Sequence, residues 1–113
     1  MADDAFKDRQ KGYEAKYQLD EEKRFKVESR RNRLVGEWAA GKLGLSGDAV
    51  KDYVKEVVRS DFEQPGSDDV VRKVADDFKK KNVAVSEADI RTEMERLYGT
   101  AVEQVNKEFP GSL

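Results

Sequence analysis

The sequence predicts an all-α protein, a four-helix bundle preceded by a mobile N-terminal arm. Apolar residues recur at i, i+3, i+4 and i+7 in four separate segments, the spacing of amphipathic helices. Turn and cap residues, among them Gly44, Pro65-Gly66, Ser86 and Pro110-Gly111, punctuate those segments. The one stretch that alternates like a strand, Asn82 to Ser86, has no second strand to pair with.

The first helix is expected from about Asp20 to Leu43, with Val27, Leu34, Val35, Trp38 and Leu43 facing the core. Asp20, Glu21 and Glu22 stand at its start, where carboxylates complement the helix dipole without any metal. Gly41 and Gly44 loosen and end it. The second helix spans Ser46 to Phe62 on Val50, Tyr53, Val54, Val57, Val58 and Phe62. Valine favours strands, but here the spacing overrules the propensity. Pro65-Gly66 ends that segment, and Ser67, Asp68 and Asp69 open a third helix whose face is Val70, Val71, Val74 and Phe78. Ser86 to Asp89 resembles a capping box with Asp in place of Glu. It opens a fourth helix carrying Ile90, Met94, Leu97, Ala101, Val102, Val105 and Phe109, which ends near Pro110-Gly111. Val83 and Val85 are expected as loop residues tucked onto the core.

Residues 1–19 are set apart from the bundle, residues 20–113. Their large apolar side chains are Phe6, Tyr13, Tyr17 and Leu19, too few to dock the segment firmly. On a helix Phe6, Tyr13 and Tyr17 fall within roughly 40° of one another. Such a stripe cannot fold alone, but it can fill a groove on a partner.

At 113 residues the chain is one domain long. Charged residues make up 41% of it and apolar ones 37%, against roughly 25% and 45–50% in ordinary soluble domains. Part of it is therefore expected to remain unpacked. There is no cysteine and no histidine. Disulfides, thiolate metal sites, the common zinc sites and Ser-His or Cys-His nucleophile pairs are thereby excluded. The expectation is a non-enzymatic protein with no catalytic residues, no metal and no cofactor. Without histidine, no side chain has an ordinary pKa between about 5 and 8, so no histidine-type pH switch is expected. The N-terminus lacks the apolar core of a signal peptide, and no run approaches the ~18 apolar residues of a membrane span. A cytoplasmic protein with no direct membrane insertion follows as the expectation.

Two motifs compete with this picture. "GEWAAGKL", Gly36 to Leu43, resembles a phosphate-binding loop. It lacks a preceding strand, a free glycine turn and a hydroxyl after the lysine, where Leu43 stands instead. A chance match inside the first helix is the better reading. "KRFKVESRRNR" carries Lys23, Arg24, Lys26, Arg30, Arg31 and Arg33 against Glu28 alone, a net charge of +5. The charges circle the helix, Phe25 is their one aromatic neighbour, and the whole protein carries −2. A solvated helix surface ranks first, a docking patch for an acidic protein surface second, and nucleic acid last.

From Asp8 to Leu45 the chain reads "DRQKGYEAKYQLDEEKRFKVESRRNRLVGEWAAGKLGL", followed by "YVKEVVRSDFE", "DDVVRKV" and "VSEADIR". From about Phe6 to Val105 this order of motifs resembles the zeta subunit family of alphaproteobacterial F-type ATP synthases. The resemblance implies a four-helix bundle whose arm inhibits ATP hydrolysis, entering as a helix between the alpha and beta subunits beside gamma. That is the part the mitochondrial ATPase inhibitor protein plays. The matching inhibitory residues are Phe6, Asp8, Arg9, Tyr13, Glu14, Lys16 and Tyr17. Tyr13 and Tyr17 stand where the family pattern calls for phenylalanines, and Leu19 where it calls for histidine. The implied partners are alpha, beta and gamma of the synthase head, not nucleic acid. The isolated protein is expected to be a monomer. The alternative is a small helical adaptor or nucleic-acid binder using the cluster from Lys23 to Arg33.

Overall fold

The computed structural model describes residues 19–61 and 68–109. They form four helices, α1 (Glu21–Lys42), α2 (Asp48–Ser60), α3 (Asp68–Lys80) and α4 (Glu87–Glu108), and no strand among the described residues. Helices adjacent in sequence pack against each other, and α4 closes the ring on α1. The all-α four-helix architecture is the expected one. The arm, Phe62 and the signals at Pro65-Gly66 and Ser67 lie outside the described residues.

Helix ends follow local chemistry. The Asp20 carboxylate caps α1, accepting the Lys23 backbone N–H at 2.8 Å. At the other end Gly44 adopts φ +77°, the left-handed conformation that glycine enters without strain. Leu45 N–H then reaches the Ala40 carbonyl at 2.9 Å, and Gly44 N–H reaches that of Gly41 at 3.2 Å, which satisfies the last carbonyls of α1. Gly36 to Lys42 therefore all lie inside α1. Amides bonded within a helix cannot cradle a phosphate. The resemblance to a phosphate-binding loop ends there. At the start of α4, Asp89 N–H donates to Ser86 Oγ at 3.0 Å and Ser86 N–H to Asp89 Oδ2 at 3.3 Å, so aspartate completes the capping box. The second helix starts later than Ser46, at Asp48, behind a Gly47 N-cap with φ +60° and no side-chain cap bond.

The core has two tiers. Its larger cluster draws on all four helices, including Val35, Ala39, Val57, Val74, Phe78 and Met94. Trp38 packs edge-on against Phe78, ring centroids 5.7 Å apart at 81°, and Val83 and Val85 lie against the same cluster. The smaller cluster is Val27 with Tyr98, Ala101, Val102 and Val105, and Leu19 and Leu34 pack on it. It belongs to α1 and α4 alone. Those helices have 22 residues each against 13 in α2 and α3, roughly 33 Å against 20 Å. The antiparallel α1–α4 pair thus outruns the other two, and Leu19 roots the arm at this two-helix end. Two expectations are corrected here. Tyr98, omitted from the α4 stripe, is fully buried. Phe109, included in it, is 40% exposed, because its backbone leaves the helix at φ −130°, ψ 63°.

Glycines on α1 give a paired prediction. A Cβ on Gly36 would sit 3.0 Å from the Cα of Val54, so the close approach of α1 and α2 depends on its absence. Gly36→Val should lower stability by about 1–3 kcal/mol through overpacking. Gly41 has nothing within 4 Å of such a Cβ, so Gly41→Ala should stabilise by up to about 1 kcal/mol through helix propensity. Urea unfolding midpoints check both signs.

Candidate partner-docking surface

The basic cluster is divided by the fold. Lys23 and Arg31 are each only 2% exposed, which corrects their reading as surface charges. The physical reason is their register. Lys23, Val27, Arg31, Val35 and Ala39 follow one another at i+4 along α1, and all five are buried in one row beneath neighbouring helices. That spacing is visible in the sequence and would have placed both cations inward.

Arg31 is accommodated as a buried cation must be, by polar and aromatic neighbours. Its Nε donates to Asn32 Oδ1 at 3.1 Å, and its guanidinium carbon lies 5.7 Å from the centre of the Tyr98 ring on α4. Asp61, just beyond α2, completes the group. Burial pushes its carboxyl above the usual carboxylate range, against the attraction of Arg31 and a hydrogen bond with Asn32, while Asp69 adds to the rise. Because the folded pKa is raised, the folded state binds the proton more readily than the unfolded chain. Asp61 therefore favours folding most at low pH, and this contribution is lost as pH rises from the ordinary carboxylate value through the raised one. The expected result is that Asp61→Asn gains stability relative to the parent between pH 4 and pH 7. Urea midpoints of both proteins at the two pH values measure it.

Of the remaining cations, Arg30 is engaged with α4, donating to Gln104 Oε1 at 2.9 Å and Glu108 Oε1 at 2.6 Å. Lys26 pairs with Glu22 at 3.4 Å and lies 3.9 Å above the centre of the Phe109 ring. Arg24 and Arg33 are exposed. The surface left on the outer side of α1 is not a basic patch. It is an open groove lined by Glu21, Glu22, Arg24, Phe25 and Glu28, three carboxylates to one guanidinium around an aromatic ring. The sequence gives no sign of this, because the exposure of Phe25 depends on which side of α1 the other helices leave open.

A second groove lies between α2 and α3, about 400 Å³ in volume, with Arg59, Arg72 and Lys73 facing Glu56 and Asp69. Two of its cations have internal partners: Lys73 contacts Glu56 at 2.8 Å and Asp77 at 3.0 Å, and Arg72 lies 3.7 Å from Asp69. Asp77 also accepts a hydrogen bond from the Tyr53 hydroxyl at 2.8 Å. Burial, helped by that bond, pushes the Tyr53 hydroxyl far up, so it stays protonated. This network ties α2 to α3. Among the described residues, no cluster of three or more acidic side chains could hold a metal ion, and no helix is long and apolar enough to cross a membrane.

The arm residues Phe6, Asp8, Arg9, Tyr13, Glu14, Lys16 and Tyr17 lie outside the described residues. No curated protein matches the chain. A family model described as ATPase inhibitor subunit zeta matches residues 2–104, taking in the arm, the two-helix end and nearly all of the bundle. The chain belongs to the ATPase inhibitor subunit zeta family.

Proposed function

We propose that this protein is a non-enzymatic regulator that inhibits ATP hydrolysis by an F-type ATP synthase. Its N-terminal arm enters as a helix at the interface of the alpha and beta subunits, next to gamma, and blocks the opening and closing that hydrolysis requires. The observation that carries the proposal is the extent of the family match, which spans both the arm and the bundle. Phe6, Tyr13 and Tyr17 are the apolar anchors of the inserted helix, and Asp8, Arg9, Glu14 and Lys16 its polar contacts. The bundle, rooted to the arm at Leu19, holds the arm in place, while Arg24 and Arg33 are the members of the basic cluster left to act at the rim. The free protein is a monomer in the cytoplasm. When bound it sits at the cytoplasmic face of the inner membrane, on the head of the synthase.

Removing residues 1–18 tests this assignment. The shortened protein should keep the parent's melting temperature to within a few degrees, since the described residues after that point already build both core clusters. It should no longer slow ATP hydrolysis by the purified synthase. Full inhibition by the shortened protein would move the inhibitory site to the bundle.

A further inference from the structure

We propose that the cavity at the start of α1 is a binding site for a small, singly charged oxyanion, held by the buried ammonium of Lys23. The site belongs to the folded bundle and needs no other subunit, so it stands or falls independently of the inhibition proposed above.

The cavity has a volume of about 180 Å³ and is lined by Asp20, Glu22, Lys23, Lys26 and Phe109, so the first turns of α1 face the residue just beyond α4 across it. It is smaller than the roughly 300–1,000 Å³ of sites for drug-sized ligands, which leaves room for a small ion and a few waters. Lys23 is 2% exposed, yet its ammonium has no hydrogen-bond or ion-pair partner among the described residues. Enclosing an ammonium without a counter-charge is unfavourable, and the cavity is where a counter-charge can reach it. The other charges around it are engaged. Asp20 turns to the backbone, accepting the Lys23 N–H at 2.8 Å as the cap of α1. Glu22 pairs with Lys26 at 3.4 Å, and Lys26 also lies over the Phe109 ring. Lys23 is therefore the lining side chain whose charge is left without a partner.

Charge and hydrogen bonding select the ligand. The ammonium offers N–H donors, and a bond from it to a charged oxygen is among the stronger hydrogen bonds. The 22-residue α1 also turns the positive end of its dipole towards the cavity, which favours an anion again. A cation would meet Lys23 and the helix end, and an uncharged molecule would leave the ammonium without a counter-charge. Asp20 and Glu22 in the lining limit the negative charge that the site accepts, so a single charge is favoured over two. A short carboxylate and the singly charged form of inorganic phosphate share this chemistry and fit the volume. Either one would tie the start of α1 to the end of α4, the part of the bundle that no third helix covers.

The test titrates the full-length chain with sodium acetate and with sodium phosphate, against sodium chloride at the same pH and ionic strength, and follows backbone amide NMR shifts. At least one of the two oxyanions should give saturable shifts centred on residues 20–26 and 109, and chloride should not. The tighter of the two identifies the ligand as a carboxylate or a phosphate. Lys23→Met should weaken that binding by about 10-fold or more, the loss of a hydrogen bond to a charged group. Arg72→Met, in the groove between α2 and α3, should leave it unchanged. If neither oxyanion gives saturable shifts in the parent, water alone fills the cavity and the proposal is overturned. Equal shifts with chloride mean screening only and overturn it too, as does binding that survives Lys23→Met. Should that variant not fold, the parent still decides: saturable shifts centred on any other part of the bundle overturn the assignment.

Discussion

Replacing Phe6, Tyr13 and Tyr17 together by alanine is expected to abolish inhibition of ATP hydrolysis while leaving the bundle folded. Aromatic anchors buried in a groove dominate the energetics of helix docking, and truncating one costs about 2 kcal/mol or more. Three such losses, if they added, would come to about 6 kcal/mol, or roughly a 10⁴-fold weaker complex. The three side chains share one groove and need not add, yet even half that loss removes inhibition at ordinary protein concentrations. Titrating the purified synthase with parent and variant, with circular dichroism as the control for folding, gives the answer. Inhibition at the parent's concentration would show that the arm aromatics are not the anchors.

The second large effect concerns stability. Phe78, 1% exposed, meets Trp38 edge-on within the cluster shared by all four helices. Phe78→Ala should cost about 3–5 kcal/mol, combining the lost burial with the cavity left behind. Small domains hold about 5–15 kcal/mol in total, so this variant should unfold at a much lower urea concentration than the parent. Trp38 is only partly buried, and Trp38→Ala should cost less than Phe78→Ala. A loss below about 1 kcal/mol at Phe78 would mean that the two rings do not form the joint between α1 and α3.

The sequence made the helices legible because each carries a strong apolar period and a chemical end. The Ser86–Asp89 box and the Gly44 stop appear where the residues place them. The fate of the charges was harder to read. Counting six cations in eleven residues hides the fact that two of them occupy the same i+4 row as Val27 and Val35, and are buried with it. Arg31 is buried because Asn32, Asp61 and Tyr98 converge on it from α1, from the end of α2 and from α4. No local pattern announces a meeting of residues so far apart in the chain. Phe25 was overlooked for the opposite reason: its exposure depends on which side of α1 the other three helices leave open. Tyr98 stands four residues after Met94 and four before Val102, on the period that carries the rest of the α4 stripe, so its burial was legible; Phe109 falls off that period because the helix ends at Glu108.

The antiparallel α1–α4 pair also decides where a reporter can be attached. With Lys26 beside Phe109, a fluorophore or affinity tag placed at Phe109 would sit at the end of the molecule where α1 begins. There it would crowd the very contacts it was meant to report. The loop at Lys81 and Asn82, exposed and next to the N-terminus of α4, lies at the opposite end, about 30 Å away by the length of that helix. Asn82 already adopts φ +57° in an open turn, so a cysteine there would carry some backbone strain, whereas Lys81 would not. Lys81→Cys is accordingly the attachment point that leaves the two-helix end clear.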